Sequence, residues 1–440
     1  MMDIKQRTKA LFQRGRSPLA QAGITPGLYH YQRETGGTVT RFHLRVDSSG
    51  NGLLVANASA AARLRPSGVV IAKALLEGWP AAAVAGRLTA AFRGVTPSQA
   101  TADVEQVRRI IAELDSPGDN YPILNLADPS FTPKATPLDG PLSADVPLAQ
   151  PERLLPILDR LWELAIPHVT LIAGEHPDAA ALVRAVERAE DLGLIAGVRG
   201  RGTDLMQGPL IRDLAQAGVD HVDVLYLSAD DAVHDALAGS GDHAKAVEAL
   251  AEVHHNEVCP VAEVPLLEAT LGGIEATLGT LAAAGVSNVC FWAIAAPDGG
   301  SHQSPQGFGG MLLADDLIEA ARLVEESAEH SRVRFLWYPP VRFQPGVPLA
   351  AQVRRGPRCS GDTAIRVEPD GRVIPARGPY RSAGNLLSDD WSTIYRHEVF
   401  REYRRRVETD THCPECPGLA ICAADCPRNP EGWAEGKDEG

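Results

Sequence analysis

The chain has 440 residues, 44% hydrophobic and 22% charged, a balance typical of a soluble globular protein with two or three domains. The formal net charge of −14 at pH 7 argues against nucleic acid as the partner. No run of about 18 apolar residues is present to span a membrane, and the basic N-terminal segment lacks the apolar core of a secretory signal. We therefore expect a cytoplasmic protein that binds neither nucleic acid nor membrane.

The first part of the chain predicts a small module behind a short lead-in. Residues 1–35 are expected to form an N-terminal extension, a short helix followed by a Pro/Gly-containing stretch. In residues 36–118, two short alternating strands flank the turn signal at 48–52, and helical segments follow. The third helix carries a periodic apolar face: Val104, Val107, Ile111 and Leu114. This order predicts a small winged-helix-like α+β module.

Residues 119–340 alternate between apolar strand patterns and helical patterns about every 30–40 residues. The predicted strands are Ile123–Leu126, Val169–Ala173, Leu194–Val198, Val222–Leu227, Val258–Val264, Val289–Ile294 and Val333–Leu336. Repeated strand–helix units with apolar strands predict a parallel sheet with crossover helices, in an α/β domain that forms a full or partial (β/α) barrel.

Residues 341–440 are predicted to form a third, cysteine-rich domain. Four of the seven cysteines lie within fourteen residues: Cys413, Cys416, Cys422 and Cys426. Thiolates at such spacing bind a metal, and four of them complete either a tetrahedral zinc site or the ligand set of one iron–sulfur cluster. Ligand type leaves zinc and iron–sulfur both open. Cys259 and Cys290 stand alone in apolar segments and are interpreted as ordinary buried thiols.

The spacing C-x2-C-x5-C-x3-C resembles that of the SPASM domain, the auxiliary-cluster extension of many radical SAM enzymes. Upstream, Cys359 is followed at the family's spacing by Gly371 and then by Ala376, where the family has a second cysteine. The resemblance implies two clusters, but Ala376 cannot ligate and no cysteine follows Cys426. We therefore expect a reduced SPASM domain with one [4Fe-4S] cluster or one zinc, its ligands drawn from Cys359, Cys413, Cys416, Cys422 and Cys426.

The middle region resembles the radical SAM barrel over most of its length. His168–Pro177 is similar to the second strand with its Gly-Gly-Glu-Pro motif, and Gly200–Thr203 is similar to a later turn of the family. Val222–Ser228, with His234-Asp235 and Gly239–Gly241 after it, resembles the following strand and loop. In an active relative Gly174 and Glu175 would touch the methionine part of SAM, and here we interpret them as a vestigial SAM site.

The three-cysteine motif of the SAM-binding cluster is missing. The family carries C-x3-C-x2-C just after the first strand, predicted here at Ile123–Leu126, and the following loop to Asp139 contains no cysteine. Asp128 and Asp139 are hard oxygen ligands, which suit such a cluster poorly. The resemblance thus implies a degenerate, pseudoenzyme-like member without catalytic residues, and we do not expect SAM to be its cofactor.

The N-terminal module resembles the PqqD-like peptide-recognition domain in residues 51–58, residues 75–78 and the third helix. Such domains bind the leader of a ribosomal precursor peptide as an added strand beside the small sheet and against the third helix. The residues implied to line that site are Leu53, Val55, Val104, Val107, Arg108 and Ile111. An ordinary winged-helix core accounts for the apolar ones equally well.

The sequence therefore predicts a non-catalytic subunit of a radical SAM peptide-maturation system. It would bind a precursor peptide leader and dock to an active radical SAM enzyme as a hetero-oligomer. The alternative is an enzyme that uses the barrel mouth for non-radical chemistry on SAM or another small molecule. Its candidate residues are Glu175, Asp230, Asp231 and the Gly-rich loop around His302, although their spacing forms no recognisable acid–base pair.

Overall fold

The structure is a computed structural model, and it divides into two compact units, Met1–Tyr121 and Pro122–Gly440. The residues that it describes are 19, 22–35, 38–56, 60–92, 94–115, 140–286, 288–296, 310–313, 316–331, 333–338, 340–357, 364–375 and 381–400. None of the helices in these ranges is long and apolar enough to cross a membrane.

The described strands and complete helices of the first unit form one antiparallel sheet and three helices. Its strands, which pair in the order of the sequence, are β1 (Gly27–Thr35), β2 (Thr38–Val46), β3 (Gly52–Ala56) and β4 (Ala60–Leu64). Its helices are α1 (Pro66–Leu76), α2 (Ala81–Ala91) and α3 (Pro97–Asp115). The β2–β3 turn closes with a hydrogen bond from Asp47 N to Asn51 O, and Gly50 takes a φ of +89°, a conformation that suits glycine.

One face of this sheet and the three helices enclose the core of the first unit. Phe42, Leu44 and Leu54 contribute from the strands, and Val104 and Ile111 from α3. The apolar periodicity of α3 arises because residues three and four apart share one face of a helix.

Strand β1 is the main departure from the expected first module. The sequence analysis placed Gly27–Thr35 in an N-terminal extension, but all nine of its residues pair with β2. Its sequence, GLYHYQRET, lacks the strict apolar alternation of a half-buried strand, because Arg33 and Thr35 share the face on which Tyr29 and Tyr31 pack against the core.

The second unit is built on a twelve-stranded mixed sheet. Its strands are β5 (Ser143–Pro147), β6 (His168–Ile172), β7 (Ile195–Gly200), β8 (His221–Leu225), β9 (Cys259–Leu266), β10 (Asn288–Ala296), β11 (Leu312–Leu313), β12 (Arg334–Trp337), β13 (Val341–Arg342), β14 (Ala364–Val367), β15 (Arg372–Pro375) and β16 (Gly384–Asn385). The strands from β5 to β10 are parallel neighbours in sequence order, which confirms a mixed α/β fold with a parallel sheet.

Helices connect these strands, as the alternating pattern predicts. They are α4 (Pro151–Glu163), α5 (Ala179–Leu192), α6 (Gly202–Leu205), α7 (Leu210–Gln216), α8 (Asp231–Ala238), α9 (Asp242–His255), α10 (Glu268–Leu271), α11 (Ile274–Ala283), α12 (Asp316–Ser331), α13 (Leu349–Arg355) and α14 (Trp391–Tyr395). Helix α5 shows the local rules clearly, because Asp178 caps its first turn through Ala181 N and Gly193 ends it with φ of +71°.

Six of the seven predicted strands overlap an observed one, and the exception concerns the first. Ile123–Leu126 lies outside the described residues, while the strand that pairs with β6 is β5, which the sequence analysis did not predict. The sequence of β5 is SADVP, too short and too polar to be distinguished from a loop.

The chain after residue 340 continues this sheet. Strand β13 pairs with β10, and β14 pairs in parallel with β5 before β15 and β16 complete an antiparallel extension. The sequence analysis placed a domain boundary at 340, whereas the described residues on both sides of it share one sheet.

Candidate functional site

The register of the parallel strands assigns a set of side chains to one face of the second sheet, here called the inner face. Asp145, Thr170 and Gly197 are aligned across β5, β6 and β7, and Arg199 is aligned with Asp223 across β7 and β8. Aligned residues of neighbouring strands project from the same face of a sheet, and alternate residues along each strand share that face.

Charged side chains cluster on the inner face. Arg199 Nε donates to Glu263 Oε1 at 2.6 Å, and Arg199 Nη1 donates to Asp145 Oδ2 at 3.2 Å. Its Nη2 lies 3.8 Å from Asp223 Oδ2. We call these four residues the charged layer; their side chains are at most 15% exposed. One guanidinium thus faces three carboxylates.

Burial shifts the proton equilibria of the charged layer. It raises the pKa of Glu263 to about 7, although Arg199 acts in the opposite direction. The pKa of Arg199 is itself raised by Glu263, Asp145 and Asp223 in spite of its burial, so the guanidinium stays charged. When Glu263 takes up a proton, the excess of negative charge around Arg199 is reduced.

No motif in the sequence predicts the charged layer, although isolated charges in its strands are a signal for it. Asp223 and Glu263 are charged residues inside otherwise apolar strands, the HVDVL of β8 and the CPVAEVPL of β9. Isolated charges in buried strands are rare unless they are paired, so they indicate partners on neighbouring strands.

Two histidines meet on the same face near the amino ends of the strands. His168 Nε2 lies 2.8 Å from His221 Nε2, and His221 Nδ1 lies 2.7 Å from Asp223 Oδ1. Between them, β7 carries Gly197, where a Cβ atom would lie 2.1 Å from Cε1 of His221. Because Gly197 has no Cβ atom, the side chains of His168 on β6 and His221 on β8 can meet across β7.

These histidines differ in their affinity for a proton. Burial and the neighbouring His221 lower the pKa of His168 to about 3. Burial also lowers the pKa of His221, but Asp223 outweighs that effect and raises it above the ordinary value.

At the carboxyl end of β6 lies the segment that the resemblance links to SAM. Gly174 adopts φ of +72°, as glycine does without strain. The side chain of Glu175 is 63% exposed, and its Oε1 lies 3.1 Å from Arg354 Nη1 and 3.8 Å from Arg201 Nη2. Glu175 therefore pairs with two arginines of its own chain, one of which belongs to α13.

Apolar side chains fill the inner face toward the carboxyl ends of β8 and β10. Helix α13 contributes Leu349 and Val353, which join Leu225, Trp292 and Ile294 in one buried cluster, here called the apolar cover. Directly after α13, a Cβ atom at Gly356 would lie 3.5 Å from Cδ of Arg199. The chain itself thus occupies the space over the charged layer.

The described residues do not fit a SAM-binding iron–sulfur cluster. Only residues 148–150 separate β5 from α4, and no cysteine precedes Cys259 anywhere in the sequence. Cys259 begins β9, at the end of the sheet opposite to Glu175, and Cys290 is buried within β10. Burial raises the pKa of the Cys259 thiol to about 11, which disfavours the thiolate that a metal requires.

The segment with His234-Asp235 and Gly239–Gly241 has a structural role. His234 Nε2 lies 3.0 Å from Asp242 Oδ2, and both side chains are fully buried. Asp242 Oδ1 also accepts hydrogen bonds from Thr203 N and Oγ1. These bonds hold α8 and α9 to α6, which follows β7.

The described residues of the alternative enzyme hypothesis serve structural contacts of their own. Asp230 accepts hydrogen bonds from Ala232 N and Val233 N as the N-cap of α8, and Asp231 lies in the first turn of that helix. Glu175 is engaged by Arg354, and His302 lies outside the described residues.

In the first unit, the predicted peptide-binding residues occupy two environments. Val104, Val107 and Ile111 belong to the core, which agrees with the ordinary structural interpretation of these positions. Leu53 and Val55 are also buried, on β3, which is an internal strand between β2 and β4.

Arg108 is exposed and pairs with Glu105 at 3.2 Å. Among the described strands, β4 is the sheet edge that neighbours α3, so an added strand would pair with β4 rather than with β3. Peptide binding by this group stays a prediction.

An open cavity of about 590 Å³ lies elsewhere in the first unit, a size suited to a small ligand or a few side chains. It is formed by the β2–β3 turn, the start of α1 and the segment before β1. Its apolar lining includes Leu19, Ile24, Pro66 and Phe92. No sequence motif marked it, because its walls come from separate segments.

The predicted metal ligands cannot be placed. Cys359, Cys413, Cys416, Cys422 and Cys426 all lie outside the described residues, as does Ala376. Within the described residues, no group of three or more His, Cys, Asp or Glu side chains is arranged to hold a metal. The cysteine site therefore rests on sequence spacing.

Comparison of the fold with solved structures identifies its class. The structure matches that of Streptococcus suis SuiB bound to S-adenosylmethionine with a TM-score of 0.54 and 11% identity, over 90% of this chain and 98% of that one. It matches SuiB bound to the precursor peptide SuiA with a TM-score of 0.55 and 11% identity, over 90% of this chain and 95% of that one. The protein thus has the fold of a radical SAM enzyme. No protein-family model and no curated protein matches the sequence.

Proposed function

We propose that this protein is a non-catalytic subunit of a radical SAM peptide-maturation system. It would bind a precursor peptide leader through its first unit and dock to an active radical SAM enzyme. One observation carries the proposal: a radical SAM fold whose first 258 residues contain no cysteine cannot assemble the three-thiolate cluster beside the first strands of its sheet.

The filled inner face supports a non-catalytic role. The resemblance implies that Glu175 would touch SAM in an active relative, but here it pairs with Arg354 of α13. Leu349 and Val353 of the same helix pack against Trp292, which is fully buried. A ligand that entered this part of the inner face would have to displace that packing, and exposing such apolar side chains costs about 1.5–3 kcal/mol each.

Two features support a peptide as the ligand of the first unit. Strand β4 lies at a sheet edge beside α3, the arrangement needed for strand addition. The fold also matches SuiB, which has been crystallised with its precursor peptide SuiA. Main-chain pairing along β4 would supply affinity, and exposed side chains of α3 such as Arg108 would supply selectivity.

The cysteines of the last part of the chain are proposed to hold one iron–sulfur cluster or one zinc. Four thiols at Cys413, Cys416, Cys422 and Cys426 satisfy either metal, and Cys359 is a further candidate ligand. A cluster would supply electron transfer to the partner enzyme, whereas zinc would supply folding energy alone.

The catalytic half of the proposal is tested by incubating the anaerobic, reduced chain with SAM. We expect 5′-deoxyadenosine at the level of a protein-free control, and no SAM binding by calorimetry. Formation of 5′-deoxyadenosine above that level would overturn the non-catalytic assignment. SAM binding without cleavage would instead favour the alternative enzyme.

The binding half is tested by selecting a displayed library of random peptides on the full chain. Arg108→Glu is expected to weaken the selected peptides, while Arg109→Glu on the same helix serves as the matched control, since Arg109 is exposed but not implied at the site. Selected peptides that bind both variants as well as wild type would contradict the proposed site.

A further inference from the structure

We propose that His168 and His221 form an acid-sensitive latch, which ties β6 to β8 across β7 and opens when the pair takes up a second proton. The geometry is specific. The two Nε2 atoms are 2.8 Å apart, and their rings meet edge to face at 66°. Contact between alternate strands of a sheet requires a gap in the strand between them, which Gly197 provides.

Hydrogen-bond counting shows that the pair has room for one shared proton. His221 Nδ1 lies 2.7 Å from Asp223 Oδ1 and donates to that carboxylate, so His221 has its Nε2 left for His168. A distance of 2.8 Å between two imidazole nitrogens needs one donor and one acceptor. If both rings become imidazolium, two N–H groups face each other and the contact cannot persist.

The charged groups around the two histidines leave no carboxylate free to compensate a second positive charge on the pair. The titratable and charged groups on the strands around the pair are Asp145 of β5, Arg199 of β7, Asp220 before β8, Asp223 of β8, Cys259 and Glu263 of β9, and Arg366 of β14. Asp223, the nearest carboxylate, already faces both His221 and Arg199. Asp145 and Glu263 are held by Arg199, and Asp220 Oδ2 accepts a hydrogen bond from Ala196 N.

Protons have access to the latch in the folded state. The side chain of His221 is 13% exposed, and His168 is also partly exposed. The direction of the effect follows from the lowered pKa of His168, about 3 in the fold against 6.5 in the unfolded chain. The unfolded state binds the additional proton first, so the contribution of His168 to the stability of the second unit is lost as pH falls below about 6.5.

Glu263 changes the stability of the fold with pH in the opposite direction to His168. The test therefore compares variants with wild type, since the contribution of Glu263 is common to all of them. Its raised pKa makes the fold bind a proton between about pH 4.5 and about 7, which offsets His168 in that window. The full chain is unfolded by urea between about pH 7.5 and about pH 4.5 as wild type, His168→Gln and His255→Gln. His255 is exposed on α9 and is the matched control.

We expect the folding equilibrium constant of His168→Gln, divided by that of wild type, to rise by up to about tenfold for each pH unit below about 6.5. The same ratio for His255→Gln should not change with pH. Parallel curves for wild type and His168→Gln would overturn the proposal. If that variant fails to fold, NMR titration of histidine-labelled wild type decides. A neutral His168 down to about pH 4 supports the latch, and titration near the ordinary 6.5 overturns it.

Discussion

Arg199 on β7 donates its Nε–H to Glu263 Oε1 on β9 at 2.6 Å, across the intervening strand β8. Neither side chain is more than 6% exposed. Asp145 and Asp223 complete the charged layer around the same guanidinium. One guanidinium therefore faces two buried acids and the partly buried Asp145, which makes the second unit sensitive to the loss of Arg199.

Replacing Arg199 with Met is expected to lower the free energy of unfolding by about 3–5 kcal/mol, because Asp145, Asp223 and Glu263 lose their buried counterion. Urea unfolding at neutral pH measures the change. Arg212→Met is the control, since Arg212 is 58% exposed and should change stability by less than about 0.5 kcal/mol. An equally small loss for the Arg199 variant would show that the layer is not a coupled network.

The raised pKa of Glu263 predicts a pH dependence with a defined sign. Its folded-state pKa of about 7 lies above the ordinary 4.5, so its contribution to stability is fully present below about pH 4.5. That contribution is lost as pH rises through about 7. Glu263→Gln mimics the protonated acid and should become more stable relative to wild type as pH rises across this window. Glu268→Gln on α10 is the control, and a wild-type curve parallel to that of Glu263→Gln would contradict the shift.

Gly197→Ala is expected to destabilise the second unit by about 1–3 kcal/mol, because the new Cβ would lie 2.1 Å from the ring of His221. Gly279→Ala in α11 is the matched control. A Cβ there meets nothing within 4 Å, and alanine in a helix interior is favoured over glycine by about 0.5–1 kcal/mol. Adding His221→Ala should recover part of the Gly197→Ala loss, and strict additivity in the double variant would argue against the clash.

Leu349→Ala tests whether α13 is an integral part of the second unit. Leu349 is 6% exposed within the apolar cover, and its truncation should cost about 2–5 kcal/mol. Leu387→Ala removes an equal volume from a side chain that is 40% exposed and should cost much less. Similar losses for the two variants would indicate that α13 packs only loosely.

Glu175→Ala separates the packing of α13 from its ion pair. Because Glu175 is 63% exposed, its pair with Arg354 should contribute no more than about 1 kcal/mol. The unfolding free energy should therefore fall only slightly, and the difference from wild type should shrink as salt is added, because salt screens the pair in the wild type. A loss comparable to that of Leu349→Ala would mean that the ion pair, rather than the apolar cover, holds the helix.

Metal analysis of anaerobically purified protein tests the predicted cysteine site. About four iron and four sulfide per chain would indicate a [4Fe-4S] cluster, and about one zinc without sulfide would indicate a structural site. Cys413→Ser should lose the metal in either case, whereas Cys290→Ser, at a buried thiol of β10, should retain it. Full metal content in Cys413→Ser would contradict the assigned ligands.

Much of the second unit could be predicted from local pattern. The strands from β6 to β10 are apolar runs separated by helical periodicity, and this alternation indicates a parallel sheet before any contact is known. Strands β1 and β5 could not be predicted in the same way. GLYHYQRET and SADVP carry weak strand patterns, and it is pairing with β2 and β6 that makes them strands.

Some features of the candidate site can also be predicted from the sequence, and others cannot. The cysteine spacing, the absence of thiols before Cys259 and the Gly174-Glu175 segment are all readable in the sequence. The contact between Glu175 and Arg354 joins residues 179 positions apart, and no spacing rule predicts it. Similarly, the strand edge beside α3 is β4 rather than β3, which only the pairing order establishes.

The sequence by itself determined the alternation of strands and helices, the cysteine cluster and the lack of a cluster motif, because these depend on residue type and short-range spacing. Tertiary structure alone decided that Arg199 meets three acids, that Gly197 admits His221 to His168, and that α13 covers the inner face. Those relationships depend on which strands are neighbours and in which register they pair, and burial then sets the energies and proton affinities of the groups brought together.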